Sequence, residues 1–139
     1  MSNINIGARE AVITSFARTP IGKAYRGAFN DTGAPALAGA AIAAAVERAG
    51  IDGAEVDDCI MGCAMPQGST GLNVGRSSAL AGGLPVTVSG MTIDRQCSSG
   101  MMAIATAAKQ IVADGMTTVV GGGVESISLV QNEHQNTHR

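Results

Sequence analysis

The 139-residue sequence has no tryptophan, two phenylalanines and one tyrosine, although 45% of its residues are hydrophobic. Its core must therefore be built from aliphatic side chains and methionine. The formal net charge is −2, and no basic run is interleaved with aromatic residues, which argues against nucleic-acid binding. No apolar run is long enough to span a bilayer, so we expect no membrane partner.

Cysteine is also scarce, with only Cys59, Cys63 and Cys97. The count is odd, and Met1–Gly7 lacks the charged leader and apolar core of a secretory signal. Free thiols in a reducing compartment are therefore expected, which predicts a cytoplasmic location. Cys59 and Cys63 lie four residues apart with no histidine or further cysteine nearby. We predict core residues there and no metal site.

Glycine is abundant, with 19 residues that predict tight turns and close backbone packing. A helix is predicted with Pro35 in its first turn and Gly50 at its end, a second over 73–81, and a third from Cys97 to Asp114. Four apolar stretches predict strands: Glu10–Phe16, Val56–Met61, Val86–Ile93 and Met116–Val120.

Strands that alternate with helices predict the α/β class, with right-handed βαβ crossovers and a mainly parallel sheet. Residues 1–130 are expected to form one domain of this kind. Residues 131–139 form a polar tail, and no sign of a completed domain precedes them.

Cys97 carries the most chemical information in the sequence, because it stands between an apolar stretch and a long helical pattern. A thiol at the start of a helix meets unpaired backbone N–H groups and the positive end of the helix dipole. Both favour the thiolate, which is the nucleophilic form. We therefore expect Cys97 to be a catalytic nucleophile. The alternative is a buried structural thiol.

Four segments in order resemble the N-terminal part of thiolases, enzymes that make or cleave 3-ketoacyl-CoA thioesters. The third contains Cys97 and is similar to the family's nucleophile signature. The segments are Arg18–Lys23, Gly71–Arg76, Thr92–Gly100 and Gly121–Ser128. The resemblance implies the N-terminal half of the thiolase fold, incomplete here.

The same resemblance implies a function. Cys97 would take an acyl group from a thioester and pass it to coenzyme A, or to an acyl-CoA enolate in a Claisen condensation. The Cys97 N–H would be one oxyanion donor. Coenzyme A and acyl-CoA are thus expected as substrates, with no permanently bound cofactor. The expected assembly is a homodimer or tetramer.

The family's remaining catalytic segments, Gly-His-Pro, Asn-Glu-x-Phe-Ala and Cys-x-Gly-Gly, do not occur in the sequence. We therefore expect a truncated or split enzyme that is inactive alone. Two alternatives stay open. The chain could be an inactive fragment or structural partner that complements a separate C-terminal half. It could also be a condensing enzyme of the ketoacyl synthase type, although the Gly121–Ser128 segment favours a thiolase.

Several other residues invite functional readings that we consider weaker. The base of a Cys-His pair is not expected at His134 or His138, which lie in the polar tail. Ser98 and Ser99 are expected to cap the helix after Cys97. Glu125 and Ser126 are expected to hold loops near Cys97, and Gly100 is expected to pack closely.

Two further groups of residues have open roles. The charged side chains Arg18, Lys23 and Arg26 are expected on the surface, where they could also meet an anionic cofactor. The methionines Met65, Met101 and Met102 are expected to fill an acyl pocket or a subunit contact.

Overall fold

The computed structural model describes residues 9–131 and contains three strands and four α-helices in that range. A π-helical turn, Gln110–Asp114, extends the third helix. The helices are α1 (Ala34–Ala49), α2 (Val74–Ala81), α3 (Ser99–Lys109) and α4 (Ile127–Val130), and the strands are β1 (Asp58–Gly62), β2 (Ser89–Ile93) and β3 (Val119–Gly123).

The three strands form a parallel sheet in the order β2-β1-β3. Gly62, the last residue of β1, lies opposite Ile93 of β2 and Gly123 of β3. The carboxyl ends of all three strands therefore meet at one edge of the sheet. Helices α2 and α3 lie in the two connections between strands, which confirms the predicted α/β class with a parallel sheet.

β1 is buried along its whole length, because helices cover both faces of the sheet. Cys59 and Met61 point to the layer of α1 and α2, where they join one apolar cluster with Ile42 and Val88. Pro35 lies in the first turn of α1, and Gly50 ends it with a φ of 68°. Both ends of α1 agree with the sequence prediction.

On the opposite face, Ile60 packs against Ala103 and Ala107 of α3. The contact is close, because a Cβ added at Gly121 would lie 3.0 Å from the Ile104 Cα. Small residues therefore face the sheet. Two large apolar residues of α3 do not share this burial, since Met101 is 76% exposed and Ile104 47%.

The predicted strand Glu10–Phe16 is absent from the structure. The segment has no regular secondary structure, and its Ile13 and Phe16 are 79% and 82% exposed. Arg9 donates to the carbonyls of Gly115 and Met116, and Arg48 donates to the carbonyl of Phe16. Side chains thus hold the segment beside the sheet, with a cavity of about 860 Å³ between it and β3. A strand needs backbone partners, which the segment does not reach.

The other strand boundaries shift by a few residues. β2 begins at Ser89 instead of Val86, since Val88 N–H closes a turn onto Pro85. Arg76 donates to the carbonyls of Val86 and Val88, so these groups are not free for a sheet.

Across residues 9–131, none of the helices has the length and apolar character needed to cross a bilayer.

Candidate active site

The candidate site lies at the carboxyl edge of the sheet, where the segments that follow the three strands come together. β1 leads to Cys63, β2 leads to the turn that carries Cys97, and β3 leads to Glu125. Parallel α/β sheets place their functional groups at this edge. The predicted nucleophile is thus at the position where the fold class makes a binding site possible.

Cys97 sits in a tight turn between β2 and α3. Gln96, the residue before it, adopts a left-handed conformation with a φ of 51°. Such a conformation is uncommon for a residue other than glycine, asparagine or aspartate, and it stores strain in the backbone. The turn therefore needs bonds from neighbouring groups to hold it.

Two side chains supply those bonds. The Asp94 carboxylate accepts from the Gln96 N–H at 2.9 Å. The Ser99 hydroxyl accepts from the Arg95 N–H at 2.8 Å and donates to the Gln96 carbonyl at 2.6 Å. Ser98 is the N-cap residue of α3 but makes no capping bond with its side chain. The prediction that Ser98 and Ser99 both cap the helix is therefore wrong.

The structure places Cys97 directly before the N-cap of α3, as predicted, and leaves it exposed. The residue lines a cavity of about 560 Å³ together with Met65 and Glu125. Of the three methionines considered for an acyl pocket, Met65 thus borders this cavity. The larger cavity beside β3 is lined by no cysteine, so it offers no thiol.

Glu125 joins two of the segments around the cavity. Its carboxylate accepts from the Ala64 N–H and from the Cys63 thiol, the latter at 3.7 Å. Ser126 donates to the Thr32 carbonyl at 3.4 Å. The Glu125 contacts agree with the prediction that this residue holds loops near Cys97, whereas neither Ser126 nor Thr32 lines the Cys97 cavity.

The other two cysteines lie in different surroundings from Cys97. Burial raises the pKa of Cys59 to about 12, with a smaller contribution from the neighbouring Asp58 charge. Burial also raises the pKa of Cys63, against the lowering effect of a hydrogen bond from the Met65 backbone. Since the thiolate is the reactive form, neither thiol is a good nucleophile.

Across the described residues no three metal-binding side chains converge.

A polar network supports the strand that leads into the Cys97 turn. Asn73 caps α2 by accepting from the Arg76 N–H, and it donates to the Gly90 carbonyl of β2. Thr92 donates to the Asn73 side chain and accepts from the Gly75 N–H. The segment Gly71–Arg76, which carries part of the resemblance, thus fastens α2 to β2.

Close backbone contact fixes the beginning of α3 against β1. A Cβ added at Gly62 would lie 2.1 Å from the Ser99 carbonyl carbon and 2.3 Å from the Gly100 nitrogen. A Cβ at Gly100 would meet Gly123 only at 3.6 Å, an ordinary contact. The Gly100 backbone thus packs closely, as predicted, but at this junction the position that leaves no room for a side chain is Gly62.

The remaining candidates lie away from the Cys97 cavity or beyond the described range. Arg18 and Lys23 border the larger cavity. His134 and His138 lie outside residues 9–131, as does most of the predicted tail. Sequence reasoning missed Asp94 and Gln96 as parts of the turn. An aspartate that accepts from the N–H two residues later forms an Asx turn, so the presence of Asp94 was a signal for its bond to the Gln96 N–H.

A family model described as "Thiolase, N-terminal domain" matches residues 11–139. The chain belongs to the thiolase family. It is 42% identical over 122 residues to a 3-ketoacyl-CoA thiolase of Bacillus subtilis, covering 88% of this chain and 31% of the relative. It is 40% identical over 129 residues to an acetyl-CoA acetyltransferase of Rhizobium meliloti, covering 93% and 31%.

A crystal structure of the Bacillus anthracis acetyl-CoA acetyltransferase resembles this thiolase-family chain with a TM-score of 0.81 and 43% identity. The match covers 86% of this chain and 30% of that one. The chain thus spans about a third of the length of the relatives it matches. The expected resemblance to thiolases and to the N-terminal part of their fold is confirmed.

Proposed function

We propose that this chain carries the nucleophile half of thiolase-type acyl transfer, with Cys97 as the residue that becomes acylated. The observation that supports the role most is the position of Cys97: exposed, directly before the N-cap of α3, on a strained turn, and lining a cavity at the carboxyl edge of the sheet. Cys59 and Cys63 lack all of these properties.

The half-reaction is a thioester exchange. The Cys97 sulfur attacks the carbonyl carbon of an acyl-CoA, the bond from that carbon to the coenzyme A sulfur breaks, and the thiol proton passes to the departing coenzyme A thiolate. One thioester replaces another, so little free energy separates the two sides. The Cys97 N–H is proposed as one donor to the oxyanion of the tetrahedral intermediate.

The second half-reaction transfers the acyl group onward, to coenzyme A in thiolysis or to an acyl-CoA enolate in condensation. Forming the enolate needs a base to remove a proton. The resemblance associates the remaining catalytic groups with Gly-His-Pro, Asn-Glu-x-Phe-Ala and Cys-x-Gly-Gly segments, and none of these occurs in the sequence. We therefore propose that this step depends on groups that the chain does not supply, and that the chain alone does not complete the cycle.

Exposed apolar side chains support the proposal that further polypeptide covers this unit. Met101 and Ile104 of α3 and Ile13 and Phe16 of the extended segment are large apolar groups that face solvent. Such surface favours association. We propose a second copy or a complementing C-terminal thiolase segment as the partner. Size-exclusion chromatography with light scattering should give no sharp monomer peak, and such a peak would contradict this part.

Acylation of Cys97 can be tested directly by incubating the chain with acetyl-CoA and mapping peptides by mass spectrometry. One acetyl group is expected on the peptide that contains Cys97, removable by hydroxylamine. Cys97→Ala should abolish it, and Cys63→Ala, the matched control, should retain it. Acetylation spread equally over the three cysteines, or absent from the wild-type chain, would reject the proposed role.

The non-catalytic alternative rests on the same exposed apolar surface. In that case the chain would contribute structure to a partner without being acylated. The acetyl-CoA experiment separates the two proposals, because a structural partner leaves Cys97 unmodified and still associates.

A further inference from the structure

We infer that Ser99 is a positioning residue for the Cys97 nucleophile, acting through the strained turn before it. The inference rests on the proposed function, since it assigns Ser99 to the same site. Ser99 is only 3% exposed, and it begins α3. Its hydroxyl makes two hydrogen bonds, and both partners lie in the turn that carries Cys97.

The two hydrogen bonds hold the backbone on both sides of Gln96, the residue with the left-handed conformation. The hydroxyl accepts from the N–H of Arg95, one residue before Gln96, and donates to the carbonyl of Gln96 itself. The Ser99 N–H also donates to this Gln96 carbonyl, at 3.0 Å. The conformation of Gln96 is sparsely populated on its own, so the surrounding bonds have to maintain it.

Because Cys97 directly follows Gln96, the φ and ψ angles of Gln96 orient the Cys97 backbone and so limit the directions in which the sulfur can point. Removing the Ser99 hydroxyl leaves a part-buried N–H without its partner and removes one of two donors from the Gln96 carbonyl. The Asp94 bond to the Gln96 N–H remains, so the turn persists but loses its preferred geometry. The thiol then samples orientations away from the cavity.

Ser98 provides a matched control. It is also a serine, it is adjacent to both Cys97 and Ser99, and its side chain makes no capping hydrogen bond. Ser98→Ala and Ser99→Ala therefore remove the same atom at neighbouring positions. Only the second removes bonds that hold the turn.

The test measures two quantities in the wild-type chain and both variants: the rate of Cys97 alkylation by iodoacetamide, and the hydrogen exchange of the Arg95 amide by NMR. Ser99→Ala should lower the alkylation rate about tenfold and speed exchange at Arg95 by a similar factor. Ser98→Ala should change neither. Amides in the middle of α3 should exchange at unchanged rates, which a general loss of structure would not allow.

An alkylation rate in Ser99→Ala within about twofold of wild type would overturn the inference, as would an equal loss in Ser98→Ala. If Ser99→Ala does not fold, hydrogen exchange in the wild-type chain still tests the inference. An unprotected Arg95 amide would show that the hydrogen bond from this amide to the Ser99 hydroxyl is not made. Alkylation needs no acyl-CoA. A chain that shows Ser99-dependent alkylation but no acetylation would therefore reject the proposed function alone.

Discussion

Two cysteines at opposite ends of the sheet, Cys59 and Cys97, lie in opposite surroundings. At the amino end, Cys59 is fully buried, and its N–H donates to the Asp58 carboxylate at 2.8 Å. Gln110 of the π turn donates to the same carboxylate at 2.9 Å. At the carboxyl end, Cys97 is exposed on a turn with left-handed backbone at Gln96.

The contrast teaches that the surroundings, and not the residue type, separate Cys97, the proposed nucleophile, from a cysteine of the core. At the amino end the Asp58 carboxylate accepts two hydrogen bonds, and the fold closes over the thiol. The carboxyl end keeps a strained turn and an open cavity, which is the pattern expected where function has been placed on a rigid scaffold.

The largest expected difference between the two ends is in thiol reactivity. At pH 8 a thiol with a pKa of about 12 is ionised in roughly one molecule in 10,000. Iodoacetamide should therefore alkylate Cys97 at least about a hundredfold faster than Cys59, which also has to wait for the fold to open. Timed alkylation followed by peptide mapping measures both rates. In urea the rates should converge, and equal rates in the native protein would break the comparison.

The next largest effect concerns the junction between β1 and the beginning of α3. Gly62→Ala would drive a Cβ into the backbone of Ser99 and Gly100 and should lower the free energy of unfolding by about 3 kcal/mol. Gly100→Ala places the same methyl group within 3.6 Å of Gly123 and should change stability by less than about 1 kcal/mol. Urea denaturation of the pair checks this. Equal losses would show that the close approach is not made.

A smaller effect is expected at Glu125, whose carboxylate holds the Ala64 N–H and the Cys63 thiol. Glu125→Ala removes both bonds and should cost about 1 kcal/mol in the local opening of this loop. Alkylation of Cys63 should then rise about fivefold, while that of Cys59 stays unchanged. Glu125→Gln keeps an acceptor and should lie in between. A parallel rise at Cys59 would indicate global unfolding instead.

The smallest effect is a pH dependence at the amino end. Hydrogen bonds from the Thr117 and Thr118 backbone, and from the Thr117 hydroxyl, lower the pKa of Asp57 below its usual range. The unfolded chain therefore binds more protons in acid, so this contribution to stability is present above the unfolded pKa and is lost as the pH falls through the folded one. Urea denaturation should show Asp57→Asn less stable than wild type at pH 7, with the difference shrinking below about pH 4. A difference in stability between Asp57→Asn and wild type that stays the same at all pH values would show that the Asp57 carboxylate is not its cause.

Local signals in the sequence were enough to predict most of the fold. Pro35 and Gly50 define both ends of α1, Asn73 caps α2, and the alternation of strands with helices predicts the parallel sheet. The prediction of a strand at Glu10–Phe16 is wrong, because an apolar pattern does not show whether the backbone of that segment comes within hydrogen-bond distance of a sheet edge. Sequence periodicity likewise does not tell which side of α3 packs on the glycine-rich strand β3 and which side, with Met101 and Ile104, is exposed.

The position of the proposed nucleophile before a helix could be predicted, but of the bonds that hold its turn only the Asp94 bond had a signal in the sequence. A cysteine before a helical pattern is visible in the sequence, and so is the resemblance carried by Thr92–Gly100. The left-handed conformation of Gln96 has no such signal, because glutamine rarely adopts it and only the surrounding bonds impose it. For the same reason Ser99 looked like an ordinary cap.

Acyl exchange between acetyl-CoA and isotopically labelled free coenzyme A tests the central claim most directly, because it needs only the half-reaction proposed for Cys97. The wild-type chain and Cys63→Ala should both form labelled acetyl-CoA, and Cys97→Ala should form none above the uncatalysed background. Exchange that survives in Cys97→Ala would contradict the account. So would its absence in a wild-type chain whose Cys97 is readily alkylated.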